Sequence, residues 1–483
     1  MQDQTASSEA TSKRGLSPKS RIQGVLRTPG SKSAAQRALI AALLADGESR
    51  IHGLPDGADV TAAIALVTAA GAKLTWLFDG ELRLPDPAPG SPAGAAQERA
   101  VRVVGQPPLS AGRPLGPAPT GPLRLGESGT LARIATAALA LCGRPGGRVM
   151  LEAQGSLVTR SSRALFKTLR AAGVEILQQN LPGTWPVEFK SVTPPSTMRL
   201  IKPSSSQEVT ALLIAAAAWP DVIHIEVEGN IPSLPYVNIT RSLLEDFGAP
   251  VEEQIEVASG VGALRTYSVG GPLVAPPGPL MLEPDASSAA VALAAACLSG
   301  GALTVPGVTR ESAQGDAAIV DHLAAFGCEA YSNAEGLHAS GFPTRGADLD
   351  LAATPDLAPV LAAVAAASAL RNGASSLLVG LDTLPGKESD RLEVLATGLR
   401  TLGFLVETGA DRLAIAPPPE SREGLSPATH LLDPQADHRM AFAFALMGLV
   451  VENVWVEDPT CVSKSWRSFW DDLKSVGAVE LGG

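Results

Sequence analysis

The sequence predicts an α/β protein assembled from six copies of one supersecondary unit, and three observations carry that expectation. The first is an apolar–Gly–apolar step at Gly71, Gly173, Gly248, Gly327, Gly403 and Gly477, each closing a helical pattern and leading into a strand-like one. Glycine suits such a step because the residue after a helix often takes the left-handed conformation, which costs glycine nothing. The second is the spacing: the glycines recur about every 76 residues, with roughly 25 more in the first interval, the mark of an internal repeat. The third is a polar helix head that runs straight into an Ala/Leu/Val-rich stretch, again six times. A nearly all-apolar helix belongs inside and an amphipathic one outside. Units of this kind cannot cover their apolar faces alone, so they should associate in groups.

Taken in order, residues 1–19 are polar and Ser/Thr-rich and read as a disordered tail. The first head is Gly30-Ser31-Lys32-Ser33, with Arg37 one turn further on. The extra residues of the first interval fall at about 84–122, where Pro/Gly-rich runs read as a surface loop without chemistry. Later heads are Glu127-Ser128-Gly129-Thr130, Ser204-Ser205-Ser206-Gln207, Pro284-Asp285-Ala286-Ser287-Ser288, Thr354-Pro355-Asp356 and Asp437-His438-Arg439. Between the two helices of a unit lie β-rich segments, at 149–152, 222–227, 303–305, 376–379 and 454–456.

Composition narrows the function. Hydrophobic residues make up 45% of the chain but aromatics only 4%, so the cores are built of Ala, Val and Leu. A net charge of −11 argues against nucleic acid or an anionic membrane as partner. Cys142, Cys297, Cys328 and Cys461 stand singly, without metal or disulfide spacing, and read as reduced thiols. No apolar run reaches the roughly 18 residues of a membrane span, and no signal-like segment opens the chain, so the expectation is a soluble, cytoplasmic protein. Helix N-termini carry unpaired N–H groups and partial positive charge. Six polar heads are therefore six potential anion cradles, and they point to phosphate or carboxylate substrates.

The series of heads, beginning with Pro29-Gly30-Ser31-Lys32-Ser33 and Arg37, resembles the enolpyruvyl transferase family from about Ile22 to the C-terminus. The resemblance implies two globular domains, each of three units with parallel inner helices in an inside-out α/β barrel arrangement, and an active site in the cleft between them. Their expected extents are 30–283 for one domain, and 20–29 with 284–483 for the other. It also implies transfer of the enolpyruvyl group of phosphoenolpyruvate to the 5-hydroxyl of shikimate-3-phosphate. No cofactor or metal is expected, and a monomer is.

Residue by residue, the resemblance assigns Lys32, Ser33, Arg37, Ser205, Ser206, Gln207, Ser233, Tyr236, Asp356, Thr383 and Lys387 to shikimate-3-phosphate. It assigns Lys32, Glu127, Gly129, Arg160, Gln207, Arg391, Arg439 and Lys464 to phosphoenolpyruvate, and chemistry to Lys32, Asp356, Glu388 and His438. Glu388 would exchange protons at the methylene carbon, Asp356 would deprotonate the attacking hydroxyl, Lys32 would assist phosphate departure, and His438 would orient Glu388. Two phosphates and two carboxylates in one cleft need cations, which the Arg and Lys residues supply.

The chain departs from the family pattern at Glu127, where Asn is common and a carboxylate needs an offsetting cation such as Arg160, at Thr383, often Asn, and at Ser161, often Pro. Thr383 leaves a related acceptor alcohol open. The branch acting on UDP-N-acetylglucosamine normally has Lys-Asn at Lys32-Ser33 and a loop cysteine near Arg160, where this chain has none. A non-catalytic relative would be expected to lose Lys32, Asp356 or Glu388, and all three are present. The P-loop-like run at Gly380 fails, because Leu381 and Glu388 occupy positions that need Gly and Ser/Thr.

Overall fold

The computed structural model describes residues 13–78, 81–83, 99–106, 121–258, 262–419 and 429–482. In chain order its helices are α1 (Lys32–Leu44), α2 (Ala58–Ala69), α3 (Gly129–Cys142), α4 (Arg163–Ala171), α5 (Ser206–Ala217), α6 (Pro235–Asp246), α7 (Ala286–Ser299), α8 (Ile319–Ala325), α9 (Ala358–Asn372), α10 (Arg391–Thr401), α11 (His438–Met447) and α12 (Phe469–Ser475). Odd-numbered helices are the Ala/Leu-rich ones. From their second turn on they are almost wholly buried. Even-numbered helices bury one face only, as α4 does with Leu165, Phe166, Thr168 and Leu169.

Each unit carries its own sheet, and each of the six sheets contains one parallel pair extended by antiparallel strands. The parallel partners flank an inner helix, as Thr197–Ile201 and Ile223–Glu228 flank α5. The pattern is exchanged at one place. Gln23–Val25, which precedes α1, pairs with Ala302–Pro306 of the fourth unit, and Leu280–Met281, which precedes α7, pairs with Glu48–His52 of the first. The chain thus crosses twice between its halves, and the two crossings touch: Ser31 N–H donates to the Glu283 carbonyl at 2.8 Å and Asp285 N–H to that of Pro29 at 2.8 Å. Gly30 is required there, since a Cβ would lie 1.7 Å from the Gly53 carbonyl oxygen.

Buried side chains form two hydrophobic clusters. One gathers residues from Ala35 to Leu273 around α1, α3 and α5; the other gathers Leu16, Ile22 and Leu26 with residues from Ala286 to Ala478 around α7, α9 and α11. All six junction glycines have positive φ, between 74° and 108°, as a helix C-terminus with a left-handed residue requires.

Two expectations need correction. Residues 13–19 are not a loose tail: Lys13–Arg14 pairs antiparallel with the strand Val454–Glu457, Leu16 is fully buried, and Ser17 N–H donates to the Val479 carbonyl at 2.8 Å. An apolar Leu16 with a free sheet edge beside it offsets the local polarity; residues 1–12 lie outside the described residues. The second correction lies inside 84–122, where Ala100–Val104 is a strand between Glu48–His52 and Lys73–Phe78. Its alternation of Val101 and Val103, both fully buried, with Arg102 is a period-two pattern. The rest of that expected loop, at 84–98 and 107–120, lies outside the described residues.

Candidate functional site

Five of the six inner helices are capped by the residue the sequence places at their head. Ser31, Ser128, Ser205, Asp285 and Asp437 each accept a hydrogen bond from a first-turn N–H. The sixth head differs. Thr354-Pro355-Asp356 forms a 3-10 turn, Pro355–Leu357, that runs directly into α9. That turn leaves Asp356 free of capping and turns its carboxylate toward cations.

Arg391, at the first position of α10, is the hub of the second half. Its side chain is 2% exposed and binds three carboxylates: Asp437 through Nε at 2.8 Å, Asp356 through Nη1 at 2.9 Å and Glu388 through Nη2 at 2.7 Å. Asp356 also meets Lys387 Nζ at 3.2 Å and Arg439 Nη2 at 3.3 Å. These cations overcome the cost of burial and hold the Asp356 and Glu388 carboxyls well below the usual carboxylate range, so both are ionised. The same carboxylates push Arg391 and Arg439 upward.

His438 opens α11 beside this group, and its Nδ1 is 3.8 Å from Asp437 Oδ1. Burial first, then the nearby Lys32, push its ring well below the ordinary histidine range, so the imidazole is neutral. A neutral ring bears on Glu388 as a dipole, not as a charge.

In the first half, Lys32 Nζ is 3.2 Å from Asp59, a buried residue in the first turn of α2. Gly129 lies under two guanidinium groups: a Cβ there would stand 2.5 Å from Arg160 Nη2 and 2.8 Å from Arg133 Nη1. Arg133 donates to the Gly129 carbonyl at 2.9 Å and to Gln207 Oε1 at 3.1 Å, which fixes the glutamine. Burial pushes Arg133 down to about 10, and it stays protonated at neutral pH.

Arg37 is fully buried and turned inward. It donates to Thr240 at 2.9 Å, to the Ser33 carbonyl at 2.7 Å and to the Tyr236 carbonyl at 3.4 Å. Two of these contacts are to the backbone of expected site residues, and the others are to the Thr240 and Thr210 hydroxyls. Ser206 N–H donates to the Pro232 carbonyl at 3.2 Å, next to Ser233, which has a positive φ of 55°. Thr383 precedes a 3-10 turn, Leu384–Gly386, that delivers Lys387, and its hydroxyl oxygen is buried without a hydrogen-bond partner among the described residues.

Side chains of the expected site also reach across from one half to the other. The Tyr236 hydroxyl reaches Asp316 at 2.9 Å and Asp356 at 3.5 Å; Lys464 Nζ meets Glu127 Oε2 at 3.1 Å; Arg160 Nη1 lies 3.8 Å from Glu388 Oε1. Tyr236, Glu127 and Arg160 of the first half therefore meet Asp356, Lys464 and Glu388 of the second. Sequence reasoning missed Asp59, Arg133, Ser287 and Asp316. Arg133 and Asp59 carried a signal, each being a charge inside an otherwise apolar helix, and Ser287 lay within a polar helix head; Asp316 carried none. Among the described residues no group of three or more His, Cys, Asp or Glu is placed to hold a metal, and no helix is long and apolar enough to cross a membrane.

Such a site suits polyanions. Arginines on rigid helix starts grip phosphate or carboxylate oxygens in pairs, and two ionised carboxylates beside them can move protons. A family model described as EPSP synthase (3-phosphoshikimate 1-carboxyvinyltransferase) matches residues 16–86 and 109–473. A 3-phosphoshikimate 1-carboxyvinyltransferase of Laribacter hongkongensis is 34% identical over 468 residues, 96% of this chain and 99% of that protein. One of Methanospirillum hungatei is 31% identical over 454 residues, 93% and 94% respectively. An EPSP synthase structure from Acinetobacter baumannii superposes with a TM-score of 0.71 at 20% identity, covering 97% of this chain and 99% of that one, and so shares the fold.

Proposed function

The chain belongs to the EPSP synthase family, and we propose that the residues gathered around Arg391 and Gly129 carry its reaction. The activity is transfer of the enolpyruvyl group of phosphoenolpyruvate to the 5-hydroxyl of shikimate-3-phosphate, with release of phosphate, in aromatic amino acid biosynthesis. The observation that supports the assignment of roles is the Arg391 hub, which sets Asp356 and Glu388, both ionised, on two arms of one guanidinium.

In the addition step the 5-hydroxyl oxygen bonds to C2 of phosphoenolpyruvate, its proton passes to Asp356, and C3 takes a proton to become a methyl group. In the elimination step the C2–O bond to phosphate breaks, C3 returns a proton to Glu388, and the phosphate leaves with the hydroxyl proton that Asp356 gives up. Glu388 must be protonated to begin. Phosphate and carboxylate oxygens arriving at Arg391, Arg160 and Lys464 take over the cations that now hold Glu388 ionised, and its proton affinity rises. Lys32, released from Asp59, offers a positive charge to the departing phosphate. Gly129, beneath Arg133 and Arg160, leaves room for the phosphate at the head of α3.

The remaining donors, Ser33, Ser205, Ser206, Ser233, Tyr236, Thr383 and Lys387, fit the acceptor, with Arg37 shaping its pocket by holding the Ser33 and Tyr236 carbonyls. Gln207 lies between the two ligands, and Lys464 and Arg439 complete the phosphoenolpyruvate end. The domains follow the two cores, 30–283 and 20–29 with 284–483, and the enzyme works as a cytoplasmic monomer. Phosphate release from purified protein tests the pairing: release should need both substrates, and release with another alcohol in place of shikimate-3-phosphate would contradict it.

A further inference from the structure

The geometry points to Asp316 as a positioning residue for this reaction: it accepts the hydrogen bond of the Tyr236 hydroxyl, so that Asp356 keeps a free lone pair for the acceptor alcohol, and it sets Arg439 through Ser287. This rests on the roles given above to Asp356 and Arg439. Asp316 lies in the 3-10 turn Gly315–Ala318 and is 2% exposed. Two hydroxyls approach its carboxylate, Tyr236 from α6 at 2.9 Å and Ser287 from the first turn of α7 at hydrogen-bond distance. Ser287 Oγ accepts from Arg439 Nη2 at 3.1 Å, so its own proton is left for Asp316. Arg439 in turn meets Asp356 Oδ2 at 3.3 Å and donates to the Asp356 carbonyl at 3.1 Å. Asp316, Tyr236, Asp356, Arg439 and Ser287 close a ring that joins both halves.

A phenol has one proton to give, and two carboxylates face it. The contact to Asp316 is the shorter by 0.6 Å, from 2.9 Å against 3.5 Å, and receives the hydrogen bond. Tyr236 cannot ionise instead, because burial and the two carboxylates push it well above its ordinary range. Among the described residues the hydrogen-bond partners of Asp316 are hydroxyls, not cations. The charged and titratable groups facing it are Arg439, Asp356 and Tyr236, with Lys387 and Arg391 beyond Asp356. Burial pushes its carboxyl up to about 6, against the pull of Arg439 and with the push of Asp356. Once protonated, it accepts the phenol hydrogen more weakly, and the phenol turns toward Asp356 and occupies the lone pair the alcohol needs.

The test is kcat/KM against pH for the wild type, Asp316→Asn and Tyr236→Phe, with phosphoenolpyruvate and shikimate-3-phosphate, and the Tm of each. The asparagine amide must aim N–H at one of two hydroxyls that now donate, so the ring is misdirected. The Asn variant should be slower by about tenfold at pH 8, the worth of one charged hydrogen bond. The ratio to wild type should shrink toward pH 5.5, where wild-type Asp316 is protonated. The substrate phosphates titrate near pH 6 as well, but equally for all three proteins, so the ratio is free of them. Tm should hold or rise, because a buried carboxylate to which no cation is hydrogen-bonded among the described residues has been removed. A pH-independent ratio, or a loss of activity that tracks a lowered Tm, would overturn the role of Asp316. A wild type inactive with this substrate pair would instead overturn the functional reading.

Discussion

Glu127 sits where the site has most need of positive charge, and neutralising it should tighten phosphoenolpyruvate binding. Its Oε2 is 3.1 Å from Lys464 Nζ, across the two halves, and Gly155 lets the carboxylate approach, since a Cβ there would stand 2.0 Å from Oε1. Lys464 is 10% exposed, whereas Glu127 is 42% exposed and well solvated. In bulk water an ion pair at this distance is worth about 1.3 kcal/mol, and a half-exposed pair nets about 0.5–1 kcal/mol after screening. With Lys464 at the phosphoenolpyruvate end, as proposed above, the substrate must displace that carboxylate, so Glu127→Gln should lower KM for phosphoenolpyruvate about two- to fivefold. The assay is steady-state phosphate release with shikimate-3-phosphate saturating, at low salt and at about 0.5 M salt, where screening should narrow the difference. KM for shikimate-3-phosphate should not change. A raised KM for phosphoenolpyruvate would show that Glu127 holds Lys464 in place for the substrate, and would refute the reasoning.

Two further outcomes follow from the same geometry. Gly129→Ala should leave Tm nearly unchanged but cut kcat/KM for phosphoenolpyruvate by at least tenfold, because the new Cβ would stand 2.5 Å from Arg160 Nη2 and must push it aside; steady-state kinetics beside a thermal melt check this. Stability should also fall in acid. Asp356 and Glu388 have folded-state values depressed below the unfolded ones, so their contribution is present above about pH 4 and is lost as pH falls through the folded values. Asp316, raised to about 6, has the opposite sign: it favours the folded state at low pH and ceases to do so as pH rises through about 6. Melts from pH 8 to pH 3 should therefore drop below about pH 4, and Asp316→Asn should flatten the change between pH 4 and 6.

Much of this architecture is legible because two local rules repeat. Gly71 through Gly477 mark helix ends that need a left-handed residue, and Ser31, Ser128, Ser205, Asp285 and Asp437 mark helix starts that need an acceptor. What the sequence hides is set by contacts between distant segments. The strand Ala100–Val104 stands among Pro/Gly-rich runs and is ordered by pairing on both edges. Lys13–Arg14 is polar, yet finds a sheet edge more than 400 residues away in the chain, at Val456 and Glu457. Arg391 is marked as a ligand-binding residue by the family resemblance, but its pairing with Asp356, Glu388 and Asp437 exists only once three helix heads meet. Asp316 has no local signal, because Gln314-Gly315-Asp316 resembles any turn, and its meaning comes from Tyr236 and Ser287 in other units. Glu127 shows the boundary. The need for an offsetting cation is legible, but that cation is Lys464, from the last unit.

The division of labour between Glu388 and Asp356 is most directly tested by solvent hydrogen exchange at C3 of phosphoenolpyruvate. With shikimate-3-phosphate present in deuterated water, the wild type should wash deuterium into the methylene group of unreacted phosphoenolpyruvate and of the product, since the intermediate passes through a methyl group. Glu388→Gln should abolish that exchange while the protein still binds both substrates. Exchange in Glu388→Gln at the wild-type rate would contradict the account and move the C3 proton to another residue.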